Sequence, residues 1–275
     1  MNMRYQRILG SILLFSSSAL FVIHSTFANT MTQEHSAMIS SFAPTGTLRV
    51  GINLGNPLLA NTDQKTRQIK GITVDIANEI AQSLSLPIIL ASYSTAGATV
   101  EAIKNGDVDL VFVAIDPVRA ADISYTPAYI QIEGAYLVKE NSPLTRNEDV
   151  DAPGNTILVG KGSAYDLYLT REIKQAALMR SVSSQAVVDD FMNEAGNVAA
   201  GVRQQLEADA QRYSGLKMLP GQFMVINQAI GIPKSRVGYE NTNRYLSALI
   251  AKLKQSGFVA QAMHRHGIQG AKVAD

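Results

Sequence analysis

Asp116, Arg119, Glu133 and Ser163 are the residues whose types and settings could do chemistry in this chain. Asp116-Pro117-Val118-Arg119 follows directly on an apolar run, Asp109 to Ile115. A run that stops at Asp-Pro reads as a strand passing into a helix. Asp116 is then the N-cap and Pro117 the N1 residue, whose missing N–H costs nothing there. Arg119 falls in the first helical turn at the carboxyl end of a strand, where open α/β sheets bind ligands. A guanidinium held in that cleft is a receptor for carboxylate or phosphate. Ser163 opens a second helix after Gly160-Lys161-Gly162 and is a preferred cap type. Glu133, in the alternating segment 129–136, faces either water or the cleft.

Other arrangements lead nowhere. Gly160-Lys161-Gly162-Ser163 lacks the spacing of a phosphate loop, so no nucleotide is expected. Ser163 is not in a G-x-S-x-G elbow and has no placed His partner. His264 and His266 lie two apart on a helical segment and face different ways, so no metal site is expected. No cofactor is called for.

The elements around these residues alternate. Leu48, Val50 and Ile52 mark a strand, and Ile72, Ile76, Ile80 and Leu84 form the stripe of a helix. A strand at 88–91, a helix ending at Gly106 and the strand into Asp116 follow. The same β-α pattern recurs after Asn141: strands at 155–160, 177–182 and 198–202, and helices opening at Ser163, at about Val187 and at Arg203. Two further helices close the chain. Between and after the units run two extended segments, 129–140 and 223–233. The fold class is therefore α/β, with two units in series bridged by two crossings, an arrangement that closes on a ligand held between lobes.

Composition limits the setting. Arg4 and Arg7 precede a mostly apolar run, Ile8 to Ile23, and Thr26-Phe27-Ala28 has a small-x-small form, so residues 1–28 read as a secretory signal peptide. The chain has no cysteine, so a lipoprotein signal is excluded and the fold must rely on its core rather than on disulfides. Cleavage removes two of 24 basic residues and none of 23 acidic ones. No basic field remains for nucleic acid or anionic lipid. The expected address is the periplasm of a Gram-negative bacterium, and residues 29–46 read as a mobile arm.

The motifs also resemble a known family. Gly46-Thr47-Leu48-Arg49-Val50-Gly51, Gly71-Ile72-Thr73-Val74-Asp75-Ile76-Ala77 and Asn105-Gly106-Asp107-Val108-Asp109-Leu110 come first. Arg119 with Ser124-Tyr125-Thr126-Pro127-Ala128-Tyr129, and Gly160-Lys161-Gly162-Ser163-Ala164-Tyr165, complete the series. In this order and spacing they resemble the family 3 extracytoplasmic solute-binding proteins, which deliver amino acids and related solutes to ABC importers. The resemblance implies a two-lobed type II periplasmic-binding-protein fold. Lobe 1 is discontinuous, 47–134 plus 230–275, and lobe 2 is 135–229. It implies that Arg119 pairs with the ligand carboxylate and that backbone N–H groups at Ser163 and Ala164 clamp the ligand from lobe 2.

The chain departs from that family pattern at the ammonium half of the site. Ala114 stands where a hydroxyl residue is usual, Gln204 near the usual acid, and Asp116 at a position that is often Thr. Asn56 and Leu58 replace an aromatic cover. Asp116 and Glu133 are the acids left to hold an ammonium group. The implied function is amino-acid or organic-acid transport by a binding protein. Its expected partners are a small carboxylate and an inner-membrane ABC permease, and its expected state is a monomer. Two alternatives share the resemblance: a cyclohexadienyl-dehydratase-like lyase using Glu133 as acid or base, and a sensory module without transport.

Overall fold

The computed structural model describes residues 39–275 except Glu194; the expected signal peptide and most of the expected arm lie outside them. One curled sheet organises the chain, in the order Ile88–Tyr93, Leu48–Asn53, Leu110–Ala114, Met224–Pro233, Ile130–Lys139, Val198–Val202, Thr156–Gly160 and Ala177–Ser181. Of the short strands, β2 (Asn61–Thr62) and β3 (Ile69–Lys70) pair apart from it, and β11 (Leu216–Met218) and β13 (Lys272–Val273) join the strand Ile130–Lys139. Two three-stranded parallel sets form its ends. The first set is β1 (Leu48–Asn53), β4 (Ile88–Tyr93) and β5 (Leu110–Ala114). The second is β8 (Thr156–Gly160), β9 (Ala177–Ser181) and β10 (Val198–Val202).

Two long strands join the sets, β7 (Ile130–Lys139) and β12 (Met224–Pro233), which pair antiparallel over 130–134 and 224–228. Residues 228–231 of β12 pair with β5, and residues 134–137 of β7 pair with β10. Each crossing strand thus begins in one lobe and ends in the other. This is the type II architecture expected from the sequence.

The patterning explains the layers. β5 and β10 are buried at every position, as central strands covered on both faces must be. The helix α1 (Ile72–Ser83) buries Ile72, Ile76 and Ile80 on one stripe. It must start at glycine, because Gly71 has φ 139° and a Cβ there would lie 2.2 Å from the carbonyl oxygen of Leu59. Asp109, fully buried at the start of β5, accepts from Arg49 at 2.8 Å and from Arg236 at 2.7 Å. One carboxylate therefore ties β1, β5 and the loop before the C-terminal helices, Tyr239–Gln255 and Phe258–Arg265. Such charges are tolerated inside only when paired.

Two expectations are corrected. The arm does not run to residue 46. Residues 39–42 are helical, Phe42 is fully buried and its ring meets Tyr245 edge-on at 5.3 Å, so the last part of the segment belongs to the core. The expected helix at Asp116 is only a 3-10 turn, Arg119–Ala121. The chain must reverse at once to place β6 (Ile123–Tyr125) against β12. Val118 is its N-cap residue and no side chain caps it, so the expected cap role of Asp116 is not met; the Asp116 carboxylate instead accepts from the N–H of Val118 at 2.8 Å, just ahead of the turn. Among the described residues no helix is long and apolar enough to cross a membrane.

Candidate ligand-binding site

A cavity lies where the carboxyl end of β5 faces the second lobe. Arg119, Ala114, Asn56 and Gln228 line it from the first lobe and the crossing strand β12, and Ser163, Ala164, Tyr165 and Ser184 from the second. Its free space is about 40 Å³, on a measure in which one water needs about 10–15 Å³.

Arg119 is 5 % exposed. One Nη donates to the carbonyl of Ala114 at 3.0 Å, the other to the carbonyl of Gly162 at 2.8 Å, across from the second lobe. Among the described residues no carboxylate lies within ion-pair distance of it. Burial pulls its pKa down, against the opposing pull of Tyr125 and Asp116. A guanidinium stays protonated in proteins regardless. The wall therefore holds a buried cation whose direct partners are neutral.

The second lobe brings helix starts. The helix Ala164–Glu172 has Ser163 as N-cap, with its Oγ accepting from the N–H of Asp166 at 3.0 Å. The Gly162 N–H goes to the carboxylate of Asp166 at 2.8 Å. Ser163 N–H itself donates to Gly160 carbonyl at 3.0 Å, so this expected clamp donor is already committed. Ala164 and Tyr165, as the first two helical residues, have N–H groups with no intrahelical acceptor. The start of a second helix, Arg203–Ala210, also meets the cavity through Val202, Gln205 and Leu206. Both ends add positive partial charge.

The glycines fit close approach. Gly160 leaves no room for a Cβ, which would lie 2.6 Å from the backbone of Ser184. Gly162, at φ +72°, brings its backbone against Gly97, where its Cβ would come 3.2 Å from the Gly97 Cα.

Of the eight expected site residues, Asn56, Ala114, Arg119, Ser163 and Ala164 line the cavity, whereas Asp116, Glu133 and Gln204 do not. Asp116, though buried, pairs with Arg171 of the second lobe at 2.9 Å. Glu133 pairs with Arg203 at 2.6 Å, outside the cavity, so neither acid is open to an ammonium group. Gln204 donates instead to the Gln269 carbonyl at 3.1 Å, and its neighbour Gln205 faces the cavity. Sequence reasoning missed Gln228, Gln205 and Ser184. Only Gln228 left a signal, as one of two polar residues, with Asn227, in the otherwise apolar segment Ile226 to Ile232.

Residues 48–268 match the family model described as bacterial extracellular solute-binding proteins, family 3. No curated protein matches the sequence significantly. Among solved structures, an L-cysteine solute receptor of Neisseria gonorrhoeae is similar at TM-score 0.71 and 21% identity, over 83% of this chain and 92% of that one. A cysteine-binding protein from Campylobacter jejuni is similar at TM-score 0.70 and 20% identity, with the same coverage of 83% and 92%. An ancestral amino-acid-binding protein described as a precursor of cyclohexadienyl dehydratase is similar at TM-score 0.68 and 17% identity, over 82% and 98%. At these identities the likeness is one of fold.

Proposed function

The chain belongs to the family 3 bacterial extracellular solute-binding proteins, and we propose that it captures a small carboxylate-bearing solute between its lobes for an ABC importer. One observation carries this reading: Arg119 is buried in the cavity wall with two carbonyls and, among the described residues, no carboxylate as partners. An uncompensated buried charge costs several kcal/mol. A ligand carboxylate would remove that cost and take a bidentate geometry on the remaining N–H groups. The N–H groups at Ala164 and Tyr165, which have no intrahelical acceptor, would meet the same anion from the second lobe.

Closure is the motion such a site requires. We assign lobe 1 to 47–134 plus 230–275 and lobe 2 to 135–229, with the hinge where β7 and β12 pair. Residues 1–28, read as a signal peptide, put the protein in the periplasm, where an inner-membrane permease would accept the loaded form. The lyase alternative named Glu133 as its acid or base, and that carboxylate is held by Arg203 outside the cavity.

The test is a thermal-shift screen on protein unfolded and refolded to strip any bound solute. A ligand at about 100 times its Kd adds about 2.7 kcal/mol. Carboxylates should stabilise the wild type and not Arg119→Ala. Stabilisation only by uncharged sugars or by cations would refute the reading.

A further inference from the structure

The charges around the cavity discriminate between kinds of carboxylate. Among the described residues Arg119 is the single charged one in the wall. The acids of the neighbouring elements are each committed elsewhere. Asp116 holds Arg171 at 2.9 Å and the Val118 N–H at 2.8 Å. Asp166 holds Arg180 at 2.9 Å and the Gly162 N–H at 2.8 Å. Glu133 is paired with Arg203 at 2.6 Å, and Asp209 with Arg212 at 3.1 Å and with the Gln205 amide.

Arg119, Asp116 and Arg171 together carry one net positive charge. A simple carboxylate cancels it. An α-amino acid brings its ammonium group on the carbon next to the carboxylate, so that group is drawn into the same small space. It would meet amides and carbonyls but no anion, and would leave the filled cavity charged. Burying an ammonium on those terms is strongly unfavourable.

Asn56 indicates what takes its place. It is 8 % exposed, lines the cavity, and its Oδ1 is buried without a hydrogen-bond partner among the described residues. An orphaned buried amide oxygen is costly unless a ligand supplies a donor. A hydroxyl can donate to an amide oxygen or accept from an amide nitrogen, so it suits either orientation of the amide. The limited free space, about 40 Å³, admits only a short skeleton.

We infer that the site selects a short hydroxy carboxylate over the amino acid of the same skeleton, with Arg119 holding the carboxylate and Asn56 the hydroxyl. This rests on the reading that the cavity takes a carboxylate at Arg119. The test is calorimetric titration of the refolded protein with matched probes: glycolate against glycine, L- and D-lactate against L-alanine, and propionate as the acid lacking both groups. At least tenfold tighter binding of the hydroxy member is expected. Asn56→Ala should bring lactate down to the level of propionate and leave propionate within about twofold, while the wild-type pairs decide the matter even if that variant folds poorly.

Amino acids that bind as tightly as their hydroxy partners, with both lost in Arg119→Met, would overturn this inference and leave the carboxylate reading standing. Lactate no tighter than propionate would overturn the role of Asn56. Binding by neither series would remove the carboxylate reading itself.

Discussion

Replacing Arg171 with methionine tests the charge arrangement directly. Asp116 is almost fully buried, and Arg171, one-third exposed, is its ion-pair partner at 2.9 Å. Breaking a fully buried pair by removing one partner costs about 3–5 kcal/mol. Water reaches Arg171, so the cost here scales down to about 1–2 kcal/mol. Arg119 is the remaining cation close enough for Asp116 to act on its pKa. In Arg171→Met the freed carboxylate competes with a ligand for that guanidinium, and the group falls from one net positive charge to none. At 1.4 kcal/mol per tenfold, affinity for L-lactate should fall about 5- to 30-fold.

The double variant Arg171→Met/Asp116→Asn restores one net positive charge, and asparagine keeps an acceptor for the Val118 N–H. Its affinity should return to within about threefold of wild type, a strong non-additivity expected of neighbours. Calorimetric titration reads both variants, with urea midpoints to confirm folding. The single variant should also narrow the gap between lactate and alanine, because it provides an acid for an ammonium group. An unaffected single variant, or a double variant no better than the single, would refute the reasoning.

Three further outcomes are expected. Gly97 lies in the helix Ala96–Lys104, and a Cβ on it would sit 3.6 Å from the Gly162 Cα, an ordinary contact; Gly97→Ala should therefore keep affinity and add about 0.5–1 kcal/mol of helix stability, while Gly97→Phe should wedge the lobes apart, seen as lost affinity and a larger radius of gyration in small-angle scattering. The Arg146 ion pair, aided by the Thr145 and Arg146 N–H groups, holds the Asp149 carboxyl at a pKa of about 2 instead of 3.8. With the folded pKa depressed, its stabilising contribution is present above 3.8 and is lost as pH falls toward 2. An NMR titration should place the midpoint near the lower value, and a midpoint at the ordinary one would contradict the geometry. Phe42→Ala should cost about 3–5 kcal/mol in urea unfolding, and a cost near zero would return residues 39–46 to the status of an arm.

What could be read in the sequence follows from the range of the interactions involved. The stripe of Ile72, Ile76 and Ile80 and the all-apolar β5 state their burial locally, so helices and strands were legible. The site's cation was legible too, because Asp116-Pro117 ends a strand and the motif around Arg119 sits within a dozen residues. The 3-10 turn was not, since the reversal after Arg119 is imposed by β6 pairing with β12 from the far end of the chain. The surroundings of Asp116 and Glu133 were not legible for the same reason. Their partners, Arg171 and Arg203, lie in the other lobe, and only the folded chain brings them together. Gln228 looked like one polar residue in a crossing strand until its pairing opposite Ala114 set it beside the cavity.

The neutral partners of Arg119 fit the proposed role of a receptor rather than that of a structural pin. Asp109 shows the structural alternative, with two arginines and a carboxylate satisfying one another in the core. Arg119 has the opposite arrangement. The carbonyls of Ala114 and Gly162 fix the plane of the guanidinium through one hydrogen bond on each Nη, yet they leave its charge uncompensated. Five N–H groups are available on an arginine, so two such bonds orient the fork without exhausting it. One of the two carbonyls belongs to the second lobe, so the fork is fully oriented only when the lobes meet. On the proposed reading, capture and closure are one event: the contact that closes the cleft also completes the geometry of the group that would hold the anion.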